Sequence, residues 1–262
     1  MSEDLVRYSV REGIAFIELH APPANTYSYP MMRQLDDAIL RGRFDPEIHV
    51  IVIRGAGEKF FCAGADIKML TEADPVFKYY FCLHANETLG RLEQTPKLVI
   101  AAINGHAVGG GLEVAMAADI RLARAGAGKI GLPEVTLGVL PGTGGTQRLG
   151  RLVGKARAIE MMALGTTFSI AEAAEAGLVN HVLPDEGFDD AVAEYAARFV
   201  PPSRASMAVG HIKRAVQTGC ELSLQDGLAV ERELQQRLFE SADAREGLDA
   251  YVDKRKPEFK GR

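Results

Sequence analysis

Two glutamates stand where a carboxylate is costly to keep. Glu113 follows three glycines and precedes Val114, Ala115, Met116 and Ala117; Glu134 follows Leu132-Pro133 and precedes Val135, Leu137 and Val139. A carboxyl group in apolar surroundings has a raised pKa unless something compensates it. Two such groups in one chain can act as a matched acid and base. Both lie in one stretch from Asn104 to Gly145, NGHAVGGGLEVAMAADIRLARAGAGKIGLPEVTLGVLPGTGG.

The same stretch offers hydrogen-bond donors. Gly109-Gly110-Gly111 lead directly into the helix formers Leu112 to Ala118. Glycines let backbone N–H groups approach a ligand closely, and at a helix start those groups carry partial positive charge. An oxygen that gains negative charge during a reaction would be stabilised there, typically by about 3–4 kcal/mol per donor. Three glycines also suit plain close packing. A second donor loop is Phe60-Phe61-Cys62-Ala63-Gly64-Ala65-Asp66-Ile67-Lys68. Its small residues Ala63, Gly64 and Ala65 leave the backbone bare, Asp66 can cap the segment beginning at Ile67, and Lys68 supplies a cation. The other reading of that loop is a small-residue turn ending in a solvated lysine.

Other motifs fall away. Gly126-Ala127-Gly128-Lys129-Ile130-Gly131 fits G-x-G-x-x-G, but a dinucleotide fingerprint needs a helix to begin there, and Pro133 follows at once. Gly105 to Gly110 lacks the Gly-Lys-Ser/Thr ending of a phosphate loop, and neither G-x-S-x-G nor H-E-x-x-H occurs. The six histidines are scattered and suggest no metal site. Cys62, Cys82 and Cys220 are odd in number and form no C-x-x-C, which fits inert thiols in a reducing, cytoplasmic compartment.

The elements that must hold these groups read as α/β followed by helices. Gly13–His20 alternates as a strand does, and Pro22, Pro23 and Asn25 break it. Ser28 can cap a helix from Pro30, with Met31, Met32, Leu35, Ala38 and Ile39 at helical spacing. His49–Arg54 and Leu98–Ile103 read as strands buried on both faces, and Asp119–Arg124 as a further one. After about residue 143, helical periodicity recurs through Lys155–Leu164, Ile170–Gly177, Phe188–Val200, Ser203–Thr218 and Leu222–Glu240, with one short strand at Val179–Leu183. Strands alternating with helices predict an α/β core.

The chain's 262 residues can bury a sizeable core. A net charge of −5 argues against a nucleic-acid or anionic-membrane surface. No apolar run approaches the roughly 18–20 residues that span a bilayer, and the opening MSEDLVRYSV lacks the apolar region of a secretory signal.

FCAGADIKML, NGHAVGGGLEVAMAADIRLA and GLPEVTLGVLPGTGGTQRLGRLVG, in this order and spacing, resemble the enoyl-CoA hydratase (crotonase) superfamily, and the ending YVDKRKPEFKGR is similar to the family's C-terminal helix. The resemblance implies an α/β fold in which a spiral of β-β-α turns is followed by a C-terminal helical trimerisation region. On that basis residues 1–200 form the core with the acyl-CoA site. Residues 201–262 form a helical region of the same functional unit, serving oligomerisation and CoA contacts. It implies an acyl-CoA thioester as substrate, no cofactor beyond the coenzyme A within it, no metal, and a homotrimer or a hexamer of two trimers.

By position, the resemblance makes Ala65 and Gly110 the oxyanion-hole donors, Glu113 the group that orients and deprotonates water, Glu134 the donor of the C2 proton, and Gly142 a backbone donor that places the water. Substrate and CoA contacts fall on Ala63, Asp66, Ile67, Lys68, Tyr251 and Lys254. Both glutamates together imply a hydratase, adding water syn to a trans-2-enoyl-CoA as in fatty-acid or related acyl-CoA degradation. Δ3-Δ2 isomerisation, thioester hydrolysis and decarboxylation use the same hole and stand as alternatives, as does a non-enzymatic binding subunit. The sequence departs from the family where hydratases read PPANAL-S: here Tyr27 and Tyr29 intervene. Tyr251 also replaces the usual phenylalanine. The aromatic segment Thr71–Asn86, with Phe77, Tyr79, Tyr80 and Phe81, is expected to form a wall of the acyl pocket.

Overall fold

The computed structural model describes residues 4–262. A hairpin of β1 (Val6–Arg11) and β2 (Ile14–Leu19) opens the chain, and α1 (Tyr29–Phe44) follows. Ser28 caps α1 by accepting from the Met31 N–H, and Met31, Met32, Leu35, Ala38 and Ile39 are its buried face, as their spacing predicts. Fully burying each larger side chain of that set is worth roughly 1.5–3 kcal/mol.

Three strand pairs come next: β3 (Val50–Gly55) with β4 (Phe60–Cys62), β5 (Leu98–Ile103) with β6 (His106–Val108), and β7 (Ile120–Arg124) with β8 (Lys129–Gly131). Helices α2 (Ile67–Glu72) and α3 (Pro75–Gln94) follow the first pair, and α4 (Gly110–Met116) follows the second. A 3-10 turn (Glu134–Leu137), α5 (Gly145–Val153) and α6 (Lys155–Leu164) follow the third. Then come β9 (Thr167–Ser169), α7 (Ile170–Glu175), β10 (His181–Leu183), α8 (Phe188–Ala197), α9 (Ser206–Gly219), α10 (Leu224–Phe239) and α11 (Ala242–Asp253).

Each β-β-α turn adds one strand to each of two sheets. One sheet runs β1-β2-β3-β5-β7-β10 and the other β4-β6-β8-β9. All pairings are parallel except β1 with β2 and β8 with β9. The long strands are buried on both faces because alternate residues enter different cores. Ile51, Ile53, Val99 and Ala101 pack with α1 and α3, whereas Val50, Val52, Leu98 and Ile100 pack against α8. This is the spiral the resemblance implies.

One detail differs from the sequence reading and one bears it out. The last helix ends at Asp253, where Lys254 adopts a positive φ of 56°, so most of YVDKRKPEFKGR is not helical. The tail turns back, and the Lys260 and Gly261 N–H groups donate to the Asp243 carboxylate on α11 at 2.7 Å each. The G-x-G-x-x-G stretch leads into β8 and not into a helix, so it has no dinucleotide geometry.

Candidate active site

Parallel register brings the chemistry together. β4, β6 and β8 lie side by side, with Cys62 opposite Ala107 and Val108 opposite Gly131. Their C-terminal ends therefore release three loops at one edge: Ala63 to Asp66, Gly109-Gly110, and Leu132 to Glu134. Small residues let those loops touch. A Cβ built on Gly64 would lie 2.9 Å from the Gly110 nitrogen, and one built on Gly111 would lie 1.9 Å from the Cys62 carbonyl oxygen. Any side chain at Gly111 would push α4 off β4.

Around these loops is a cavity of about 730 Å³. Ala63, Ala65, Ile67, Gly110, Glu113, Glu134 and Gly142 all line it. Among the described residues, the N–H groups of Ala65, Gly110 and Gly142 have no hydrogen-bond partner. Ala65 is left bare for a geometric reason. Tyr27 pairs with this loop as a parallel strand would, its N–H donating to Gly64 O and its carbonyl accepting from Asp66 N–H, so the amide between them faces the cavity. Ala65 and Gly110 thus present adjacent free donors, the arrangement that binds an oxygen on which charge develops.

Glu113 sits within α4, every residue of which is buried. Its Oε1 accepts from the Thr143 N–H at 2.8 Å and the Gly145 N–H at 2.6 Å. Burial pushes its pKa up, and those two donors act against the rise. The turn that supplies them is itself anchored. Arg148 donates to Thr143 O while holding the Glu93 carboxylate with two nitrogens at 2.7 Å each, and Asn86 Nδ2 donates to Gly142 O.

Glu134 opens the 3-10 turn opposite. Its Oε2 is buried without a hydrogen-bond partner, and its carboxyl is pushed up to about 7, chiefly by burial and further by the nearby Glu113. A carboxyl with an unsatisfied buried oxygen favours its neutral form.

Tyr27 lines the cavity, as expected of its loop, with its ring buried beside Gly110 and its hydroxyl 2.9 Å from Thr143 Oγ1. A Cβ on Gly110 would fall 2.0 Å from that hydroxyl, so tyrosine at 27 requires glycine at 110. Buried Asn25 holds the Tyr27 loop, its Nδ2 donating to Ala56 O and Phe60 O at 2.9 Å. Tyr29 points outward and meets His84 and Phe77 edge-on.

The remaining expectations divide. Asp66 caps α2, accepting from the Met69 N–H at 3.1 Å. Asp66 and Lys68 line a separate surface depression with Glu72 and Phe77. Tyr251 and Lys254 are not among the cavity residues, and Tyr251 is 85% exposed. Of the four aromatics expected in the pocket wall only Phe81 lines the cavity, whereas Tyr79 and Tyr80 face outward. Thr71, Lys78 and Cys82 of the segment expected to form a wall also line it, as does Thr143, which the sequence does not single out. Lys78 and Cys82 stand one helical turn apart behind an Asp74-Pro75 helix start, a spacing that could have placed them on one face.

The enoyl-CoA hydratase/isomerase family model matches residues 9–262. A short-chain-enoyl-CoA hydratase of Clostridium acetobutylicum is 38% identical, the match covering 96% of this chain and 97% of that one. The 2,3-dehydroadipyl-CoA hydratase of Escherichia coli is 37% identical over the full length of both. An enoyl-CoA hydratase structure from Geobacillus kaustophilus superposes with a TM-score of 0.97 at 46% identity, covering 100% of this chain and 98% of that one. Sequence motifs, spiral fold and relatives agree: the chain belongs to the enoyl-CoA hydratase/isomerase family.

Proposed function

We propose that the protein is an enoyl-CoA hydratase, adding water reversibly and syn to a trans-2-enoyl-CoA to give the 3-hydroxyacyl-CoA. The thioester carbonyl accepts from the Ala65 and Gly110 N–H groups. Ionised Glu113 takes a proton from a water that the Gly142 N–H helps to place, and the water oxygen bonds to C3. The C2=C3 electron pair moves into the carbonyl as an enolate, whose charge the two amides stabilise. Collapse of the enolate takes the Glu134 proton onto C2, completing the addition; in the reverse direction the two carboxyl groups exchange roles. Coenzyme A enters only as part of the substrate, and we assign no separate cofactor and no metal.

The observation that carries this reading is that Glu113 and Glu134 line the same cavity as the two free amides. Isomerisation, hydrolysis and decarboxylation need the hole but not this pair of carboxyl groups. Spectrophotometric hydration of crotonyl-CoA tests it. Glu113→Gln and Glu134→Gln should each lower kcat by roughly 10²–10⁴-fold, the range of general acid–base catalysis. Undiminished hydration in both variants would overturn the reading, as would an acyl-CoA panel yielding only isomers or free acids.

The same reading gives a cytoplasmic homotrimer or hexamer in which residues 201–262 serve assembly and CoA contact. Exposed apolar side chains on the last three helices, among them Ile212, Val216, Phe239 and Val252, support an assembly, which light scattering would test. Among the described residues no helix is long and apolar enough to cross a membrane. The relatives named for short-chain and for 2,3-dehydroadipyl substrates carry different acyl groups, so family membership does not choose the acyl chain.

A further inference from the structure

Lys78 is the one basic side chain among the described residues lining the cavity. On the first turns of α3 its neighbours Val76, Phe77, Tyr79 and Tyr80 are exposed, whereas Lys78 turns inward and is half-buried. Its Nζ lies 2.9 Å from Cys82 Sγ, one turn along the helix. A Cβ on Gly142 would lie 3.4 Å from that sulfur and 3.8 Å from Nζ. The ammonium therefore stands against the turn that carries Gly142 and, one residue on, the Thr143 amide bound to Glu113.

Among the described residues no carboxylate reaches Lys78 within ion-pair distance. Its partner is a thiol, a weak acceptor. The cavity wall is otherwise mostly apolar, with Leu70, Phe81, Leu137, Val139 and Leu140 among its residues; Tyr27, Thr71, Thr136, Thr143 and the two glutamates are its other polar side chains. A cation partly withdrawn from water among apolar groups is stabilised by an anion that enters beside it. Neither cavity glutamate fills that role: Glu113 is held by Thr143 and Gly145, and Glu134 has no partner at all on Oε2.

We propose that Lys78 reads a carboxylate at the free end of the acyl group, so that the preferred substrates are 2-enoyl-CoA thioesters of short dicarboxylic acids. This rests on the hydratase reading above. The short spacer follows from the position of Nζ beside the Gly142 turn, which brings it near the end of the cavity where water meets C3. A phosphate of coenzyme A is the other anion the substrate could present, and it belongs to every acyl-CoA alike.

Hydration kinetics of the full-length protein separate these cases. Crotonyl-CoA serves as the neutral substrate, and mono-CoA thioesters of five- and six-carbon 2-enedioic acids as the carboxylated ones. A charge-assisted hydrogen bond is worth roughly tenfold or more, so the wild type should favour the carboxylated thioesters in kcat/KM by about that factor. Lys78→Met should lower the carboxylated-to-neutral ratio by about tenfold, and Lys78→Arg should largely restore it. A wild-type ratio at or below one overturns the proposal, as does a ratio that Lys78→Met leaves unchanged, the result expected if the lysine meets a CoA phosphate. Hydration of crotonyl-CoA without a carboxylate preference would defeat this proposal alone, whereas no hydration of either substrate would defeat the hydratase reading with it.

Discussion

Glu113 and Glu134 face one cavity from two differently built walls. Glu113 rises from a helix in which every residue is buried, and two backbone N–H groups hold its Oε1. Glu134 opens a four-residue 3-10 turn on the other side, and its buried Oε2 has no partner. Donors aimed at a carboxylate favour its ionised form, and their absence favours the acid. In the proposed hydratase reading, the difference in walls corresponds to a base on one side and an acid on the other, and each can be broken separately.

Breaking the Glu113 wall at its backbone should have the largest effect. A Cβ at Gly111 meets the Cys62 carbonyl oxygen at 1.9 Å, and no rotamer relieves a clash with backbone. Gly111→Ala should therefore cost on the order of 3 kcal/mol of stability, as severe overpacking does, and abolish hydration by moving α4 with its glutamate and its Gly110 amide. Thermal denaturation and crotonyl-CoA turnover check both parts.

A finer break lies behind the same wall. Tyr27→Phe keeps the ring but removes the hydroxyl that meets Thr143 Oγ1 at 2.9 Å. Losing one buried hydrogen bond costs about 1 kcal/mol. It should also loosen the Thr143 amide on Glu113, lowering kcat by roughly tenfold while KM changes less. Tyr27 then acts as a positioning residue, and the acid limb of the pH–rate profile, where Glu113 takes up its proton, should move to higher pH. An unchanged profile would leave it a packing residue only.

The Glu134 wall also predicts an effect on stability. Its carboxyl titrates near 4.5 in the unfolded chain and at about 7 in the fold, so the folded state holds the proton more tightly. That contribution is fully present below pH 4.5 and is lost as pH rises through about 7. Between pH 5 and 8 the wild type should lose more stability than Glu134→Gln, as melting curves across that range would report.

Much of this arrangement is legible in the sequence, because the groups that carry it have unusual neighbours. Three glycines before an apolar helix, and a Pro-Glu pair before alternating apolar residues, mark both glutamates and one amide. The long strands are equally clear, since Val50 to Ile53 and Leu98 to Ile103 are apolar on both faces. The three-residue strands β4, β6, β8 and β9 are not. Three residues are too few to show a period of two, yet their parallel register aligns the site. Tyr27 reads as a pocket variation and does line the cavity, but nothing local tells that Gly110, 83 positions away, leaves room for its hydroxyl. Tyr251 and Lys254 read as CoA contacts by position alone, whereas in the single chain Tyr251 is almost fully exposed.

The contrast between the two walls is tested most directly by the pH dependence of kcat/KM for crotonyl-CoA hydration, which reports the free protein's acid and base. In the proposed mechanism, hydration requires Glu134 to carry its proton. The rate should therefore fall as pH rises through about 7, steepening toward tenfold per pH unit beyond it. The kcat/KM for dehydration of 3-hydroxybutyryl-CoA should fall in parallel, because the overall reaction exchanges no proton with solvent and its equilibrium constant fixes the ratio of the two. A hydration rate that stays level from pH 6 to 9 would mean that Glu134 is not the acid, and the division of labour between the two carboxyl groups would be wrong.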